Sequence, residues 1–301
     1  MKPIYQATIF LICLFTFPVI KAQDATENKA DTLEGWKVGG LISINLSQSS
    51  FSNWAAGGDN NLGLSVFYKP FFNYKKGKVK WENSMDFRYG KNKVGSDPWR
   101  KSDDKLELTS NFGINAGKNW YYSLQGNFKT QFDKGYENTE DDQYISKFMA
   151  PGYVTLALGM AYKPNDKISV FLSPITSRTT FVTDDILSAR GDYGVTPGEK
   201  SFTQMGPSAE ITFKDEVAEN VLIDTRANAL YDYGKEAKFV FNWDFILGLK
   251  VNKFLTTTLT TGMIYDENVL FDVKDDTGTV VDREKRLQFK QLLAIGITFS
   301  Y

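Results

Sequence analysis

The chain has 301 residues, with 35 Lys and Arg against 36 Asp and Glu, 15% aromatic residues, 24 Gly, 9 Pro, one Cys and no His. Its polar mean hydropathy excludes a helical membrane bundle, and a net charge of −1 offers no polyanion footprint, so no nucleic-acid partner is expected. Without histidine, zinc, copper and haem sites lose a usual ligand and Ser-His or Asp-His hydrolase sites lose their base, so no cofactor, metal or enzymatic activity is expected; a carboxylate-only site is the chemistry left open.

The amino terminus carries Lys2, an apolar run from Ala7 to Ile20, then Lys21-Ala22-Gln23. This pattern predicts a secretory signal peptide over residues 1–22, too short for a membrane helix, with Cys13 inside it. Residues 23–35 are polar and aperiodic, as expected of an unstructured periplasmic leader.

From Trp36 the sequence alternates. Strand one sets Trp36, Val38, Ile42, Ile44 and Leu46 against Lys37, Ser43, Asn45 and Ser47. A loop with Asn53, Trp54, Gly57 and Gly58 follows. Strand two sets Leu62, Leu64, Val66 and Tyr68 against Gly63, Ser65, Phe67 and Lys69, and Lys75-Lys76-Gly77-Lys78 supplies a tight turn. Strand three places Val79, Trp81, Met85, Phe87 and Tyr89 opposite Lys80, Glu82, Asp86 and Arg88; four charges on one face suit a wet interior. A long polar loop is predicted before strand four, which sets Leu106, Leu108, Phe112 and Ile114 against Glu107 and Asn111.

Strand five sets Trp120, Tyr122, Leu124 and Phe128 against Gln125, Asn127 and Lys129, and an acidic loop runs from Asp133 to about Pro151. Strand six spans the alternation from Tyr153 to Tyr162, while strand seven, from Ile168 to about Val182, is interrupted by Pro174. After another long loop, strand eight is expected only around Ser208 to Lys214. Strand nine carries Asp224 and Arg226 on its polar face, and strand ten alternates seven apolar positions from Phe239 to Val251 with a face that includes Asp244 and Lys250. Strand eleven follows Asn252-Lys253. The loop after it contains Asp275-Asp276-Thr277-Gly278, whose composition suits a calcium site but whose position suits a hairpin tip. Strand twelve alternates Leu287, Phe289, Leu293, Ile295, Ile297, Phe299 and Tyr301 with small or polar residues and Lys290.

One such strand fits a soluble sandwich as well as a barrel. The connections decide: short turns near residues 75–78, 117–119, 164–166, 215–219 and 252–253 alternate with long loops, with one short exception near Tyr233 to Lys235, the asymmetry of an outer-membrane barrel. The fold class expected is therefore all-β, a transmembrane antiparallel up-and-down β-barrel of about twelve strands over residues 36–301. Its location would be the outer membrane, surrounded by lipid and lipopolysaccharide. The terminal aromatics Phe299 and Tyr301 resemble the signal read by the barrel-assembly machinery.

Five blocks resemble an uncharacterised outer-membrane barrel family of the Bacteroidota type, a domain of unknown function. They are Asn53-Trp54-Ala55-Ala56-Gly57-Gly58, Arg100-Lys101-Ser102-Asp103-Asp104, Thr130-Gln131-Phe132, Ala150-Pro151-Gly152-Tyr153 and Tyr265-Asp266. The resemblance implies fold and location and no activity. Read from the residues, the first-loop block is either a constriction folded into the lumen or a packed surface turn. The Arg100 to Asp104 block reads as a loop-fixing ion pair at a loop-to-strand junction, or as a ligand site.

The residues expected to face the lumen are Lys80, Glu82, Asp86, Arg88, Glu107, Asp224, Arg226, Asp244, Lys250 and Lys290. Their mixed signs allow pairing across the interior, either to set the selectivity of a narrow channel for small polar or ionic solutes or merely to satisfy buried charge. The rival expectation is a non-conducting structural or adaptor barrel that binds a protein partner through its loops or its periplasmic side.

Overall fold

The computed structural model describes residues 34–50, 59–136, 143–234, 237–275 and 279–301. The predicted signal peptide, most of the leader and the first-loop residues Asn53, Trp54, Gly57 and Gly58 lie outside the described residues.

Alternating sequences become strands because period-two side chains leave the backbone free to pair on both edges. Twelve strands do so: β1 (Gly35–Ser49), β2 (Asn61–Lys76), β3 (Val79–Val94), β4 (Arg100–Gly117), β5 (Trp120–Thr130), β6 (Gly152–Tyr162), β7 (Ile168–Phe181), β8 (Ser201–Ala218), β9 (Val221–Tyr231), β10 (Phe239–Lys250), β11 (Leu255–Asp266) and β12 (Gln288–Ser300). Each pairs antiparallel with its sequence neighbours, and β12 returns to β1, so the sheet closes. Glu34, expected in the unstructured leader, accepts the Gly77 N–H at 2.8 Å.

Three boundaries differ from the sequence reading. The polar stretch between strands three and four is not a long loop: β3 runs to Val94, β4 starts at Arg100, and Lys91↔Lys101 and Asn92↔Arg100 are paired. Beyond the membrane a hairpin has water on both faces, so pairing continues without alternation. The Arg100 to Asp104 block accordingly lies within β4. Pro174 does not break β7, because the pairings on both sides shift register beside it. Ser173 Oγ meets the Leu158 and Ile175 carbonyls at 2.8 Å where the proline has no N–H to offer. β8 spans eighteen residues. Its irregular pattern comes from a bulge at Pro207, beside Gly206, where an added Cβ would sit 1.8 Å from the Tyr231 carbonyl oxygen.

Burial is inverted relative to a soluble domain. Leu124, Leu156 and Leu158 are 51%, 56% and 58% exposed on the outer face, while Ser43, Asn45, Arg88 and Glu107 are at most 7% exposed on the inner one. At the short-turn end, Trp36 packs on Tyr74 and Trp81, Trp120 on Tyr162, and Phe254 on Phe299, an aromatic belt of the kind found at membrane–water interfaces. A closed wall with apolar side chains outside and ionic ones inside has hydrocarbon as its outer solvent. The chain is an outer-membrane β-barrel, with short turns at the periplasmic end and, apart from the β3–β4 hairpin, longer connections at the other.

If the outer face meets lipid, Leu124→Arg should destabilise the barrel by about 2–4 kcal/mol at mid-membrane depth. Urea unfolding in phospholipid vesicles measures this. A neutral effect would place Leu124 in water and remove the membrane assignment.

Candidate functional site

The inner face gathers charge at mid-height. On β4, Lys105 and Glu107 project inward one above the other, 2.7 Å apart. Lys105 also reaches Asp86 of β3 at 3.2 Å and Asp244 of β10 at 3.5 Å. Arg226 of β9 spans the interior to Glu107 at 2.8 Å and holds Glu210 of β8 at 2.7 Å. Because β4 and β9 are not neighbours in the wall, this bridge crosses the lumen. Arg88 forks onto Asp86 at 2.9 and 2.6 Å, and Lys69 of β2 reaches across to Asp224 of β9 at 2.7 Å. Amides complete the set: Gln125 donates to Glu210 at 2.9 Å and Asn127 to Glu107 at 2.7 Å.

The other expected lumen residues lie nearer the rims. Lys80 stands 5.3 Å from the Tyr121 ring centroid. Glu82 pairs with Lys163 in the β6–β7 turn, Lys250 with Glu216 at 3.3 Å, and Lys290 with Asp103 of β4. Asp103, which the Arg100 to Asp104 block assigns to a loop-fixing ion pair, Lys105, in a stretch expected to be loop, and Glu210, in a strand expected only in outline, are absent from the expected lumen set. Carrying the odd-numbered parity of Glu107 back to residues 103 and 105 would have found two of them. Lys69 and Lys129 were read as polar-face residues with no role.

Three cavities follow the axis through this belt. One of about 330 Å³ lies on the long-loop side, one of 200 Å³ at the belt, and one of 110 Å³ on the periplasmic side. Lys105, Glu107, Glu210, Arg226 and Asp244 wall both of the first two, and Lys69, Asp86, Arg88 and Asp224 wall both of the last two. Leu41, Phe67, Leu222 and Ile246 make the lowest cavity partly apolar. Among the described residues no three carboxylates converge as metal ligands would.

Above the 330 Å³ cavity the described residues of the β5–β6 connection and the β7–β8 connection fold together into a cap. Ala150, Val182, Leu187 and Val195 form a small buried core with Tyr144, Tyr193 and Phe202 packed on it. Asp184 caps a short helix, α1 (Asp185–Ala189), accepting the Ile186 and Leu187 N–H groups at 3.0 Å. The Tyr144 hydroxyl donates to the same carboxylate, and Lys147 pairs with it. Asp104 ties the cap to the wall: it accepts the Phe132 and Asp133 N–H groups at 2.8 Å and pairs with Lys101 at 3.1 Å. Arg178, 4.4 Å from the Tyr153 ring centroid, bridges Gln204 and Asp266 beneath.

Residues 46–136 match the model of a family described as a protein of unknown function (DUF3078). That interval contains the first three of the five blocks quoted above. No curated protein matches the chain. Among solved structures it is similar to the COG4313 outer membrane channel from Pseudomonas putida F1, at 11% identity over 92% of this chain and 100% of that one, with a TM-score of 0.40. It is also similar to the translocator domain of autotransporter NalP from Neisseria meningitidis, at 8% identity over 92% and 90% of the two chains, TM-score 0.36. A third likeness is to outer membrane phospholipase A from Escherichia coli, at 9% identity over 91% and 94%, TM-score 0.33. Likeness at this level extends no further than the fold.

The cap should respond to acid through Asp184. Burial alone would raise its carboxyl, but Lys147, the Leu187 N–H and the Tyr144 hydroxyl hold it at about 2, below its ordinary 3.8. A depressed acid stabilises the fold above its unfolded value, and that contribution fades as pH falls from about 4 through about 2. Pepsin cleavage within residues 182–200 should therefore rise across this window. Asp184→Asn, which cannot carry the charge, should be cut at pH 4 as readily as the native chain at pH 2; equal resistance of both chains at pH 4 would remove Asp184 from the account.

Proposed function

We propose that the barrel is a narrow outer-membrane channel for small polar or ionic solutes, in which the ion-pair belt is the selectivity constriction. The observation that carries this reading is the run of three cavities along one axis, each sharing charged walls with the next. Eight-stranded barrels are filled by side chains and those of sixteen or more hold wide channels, so twelve strands suit a conduit that a few side chains can close. Charges of both signs, already paired, give an entering ion a partner at each level and a competing partner that releases it. The reading is of a conduit and not of an enzyme, surrounded by lipid and lipopolysaccharide and inserted by the barrel-assembly machinery.

A second reading has its own support. The packed cap over the 330 Å³ cavity suits a non-conducting adaptor that presents its loops to a protein partner.

Planar-bilayer recording of the purified barrel separates the two. The channel predicts ohmic conductance whose ion preference moves in opposite directions in two variants. Arg226→Gln strips the guanidinium from Glu107 and Glu210 and should favour cations. Asp86→Asn frees Arg88 and Lys105 from a carboxylate and should favour anions. A silent bilayer would support the adaptor.

A further inference from the structure

The barrel closes where β12 meets β1, and this junction is unlike the others. Its register runs from Leu41↔Ser300 only to Asn45↔Gly296, five rungs, with reciprocal backbone bonds of 3.0 and 3.1 Å between Gly40 and Tyr301 below them. Every other junction has ten rungs or more. Neither strand has ended: β1 goes on pairing with β2 to Ser49↔Asn61, and β12 with β11 to Ile264↔Gln288. The same register would set Leu46, Ser47, Gln48 and Ser49 opposite Ile295, Ala294, Leu293 and Leu292, yet among the described residues none of these pairs forms. The strands part at a rung where Asn45 fills the place of the side chain that Gly296 lacks; a Cβ there would lie 2.1 Å from Asn45 Oδ1. Ser47 reports the gap, for it is an inner-face residue and yet exposed, while Ser43 and Asn45 below it are each 3% exposed.

Tyr301 lies at the periplasmic end, so the parted stretch is in the outer-leaflet half of the wall. Open strand edges do not stand bare in hydrocarbon, where each unmet backbone group costs several kcal/mol. Where the edges part, an N–H group calls for an acceptor and a C=O group for a donor. Its outer rim is apolar, with Leu46, Leu293 and Ile295 at 58%, 66% and 55% exposure. On the inner face of β12, next above Leu292, Lys290 is half-exposed and pairs with one oxygen of Asp103, whose other oxygen is buried without a partner. An apolar rim, a parted strand edge and a cation together describe one kind of guest. We propose that the parted β1–β12 seam is a lateral opening between the lumen and the outer leaflet that takes a single-chain amphiphile with an anionic head. The head accepts from edge N–H groups and from Lys290, and the chain lies along Leu46, Leu293 and Ile295.

The probe is a diazirine-bearing palmitate in phosphatidylcholine vesicles holding the full barrel, with photoadducts mapped by mass spectrometry. Elsewhere the lipid should mark outward residues only. At the seam it should also mark the inner-face residues Ser47, Leu292 and Ala294, by roughly five-fold or more over inner-face Ser123 and Ala157. Lys290→Gln should lower that inner labelling, as should replacing the carboxylate by an uncharged alcohol head. In a Cys13→Ser chain, oxidising Ser47→Cys with Ala294→Cys should close the seam and abolish it, whereas the already paired Ser43→Cys with Thr298→Cys should leave it unchanged. Labelling confined to outward residues, or inner labelling that survives closure, overturns the proposal. Neither result touches the axial channel, whose test is conductance.

Discussion

A backbone N–H or C=O in hydrocarbon has no water to bond, so every strand must find a partner on each edge and the sheet must close on itself. The twelve strands meet that demand by antiparallel pairing all the way round. Closure separates two environments, and side chains one residue apart on a strand belong to different ones. That is why Leu124 is half-exposed while Gln125 beside it is buried. The same constraint makes the β1–β12 seam notable, since it is the junction where pairing stops before the strands do.

The interior answers a second demand. A charge held within a low-dielectric wall is costly unless a counter-charge and further hydrogen bonds satisfy it. Around Lys105 and Arg226 those partners come from strands that do not touch one another in the wall, so the pairs become struts across the lumen. Breaking one strut leaves its partner charge uncompensated, which keeps the belt ordered. The amides of Gln125 and Asn127 take acceptor positions on Glu210 and Glu107 that the cations leave open.

Where the loops leave the membrane, the rule reverses. The cap buries Val182, Leu187 and Val195 away from water, as any small water-soluble fold does. One chain thus obeys two solvents, and Asp104 sits at their boundary. Placed on a strand that begins in the extracellular hairpin, it holds the Phe132 and Asp133 backbone and so fixes the cap to the barrel rim. Its neighbour Asp103 faces inward to Lys290. Adjacent carboxylates serve different sides of the wall because consecutive strand residues point opposite ways.

Period-two alternation is a local property, visible in a dozen consecutive residues, so β9, β10 and β12 were legible from the chain alone, as were the inward positions of Asp86, Arg88, Asp224, Arg226 and Asp244. The sequence failed in the β3–β4 hairpin, where lipid no longer imposes the pattern, and at the Pro174 bulge and along β8, where register shifts break the alternation. Partners were not legible at all. Whether Arg226 meets Glu107 or Lys69 meets Asp224 depends on how register shifts accumulate around the closed sheet, a sum over pairings between strands far apart in the chain. Along the regularly alternating strands the sequence by itself determined which side of the wall a residue takes, because that depends on parity and solvent. The tertiary structure decided which charges meet, how the loops cap the lumen and where the wall parts, because these depend on closure.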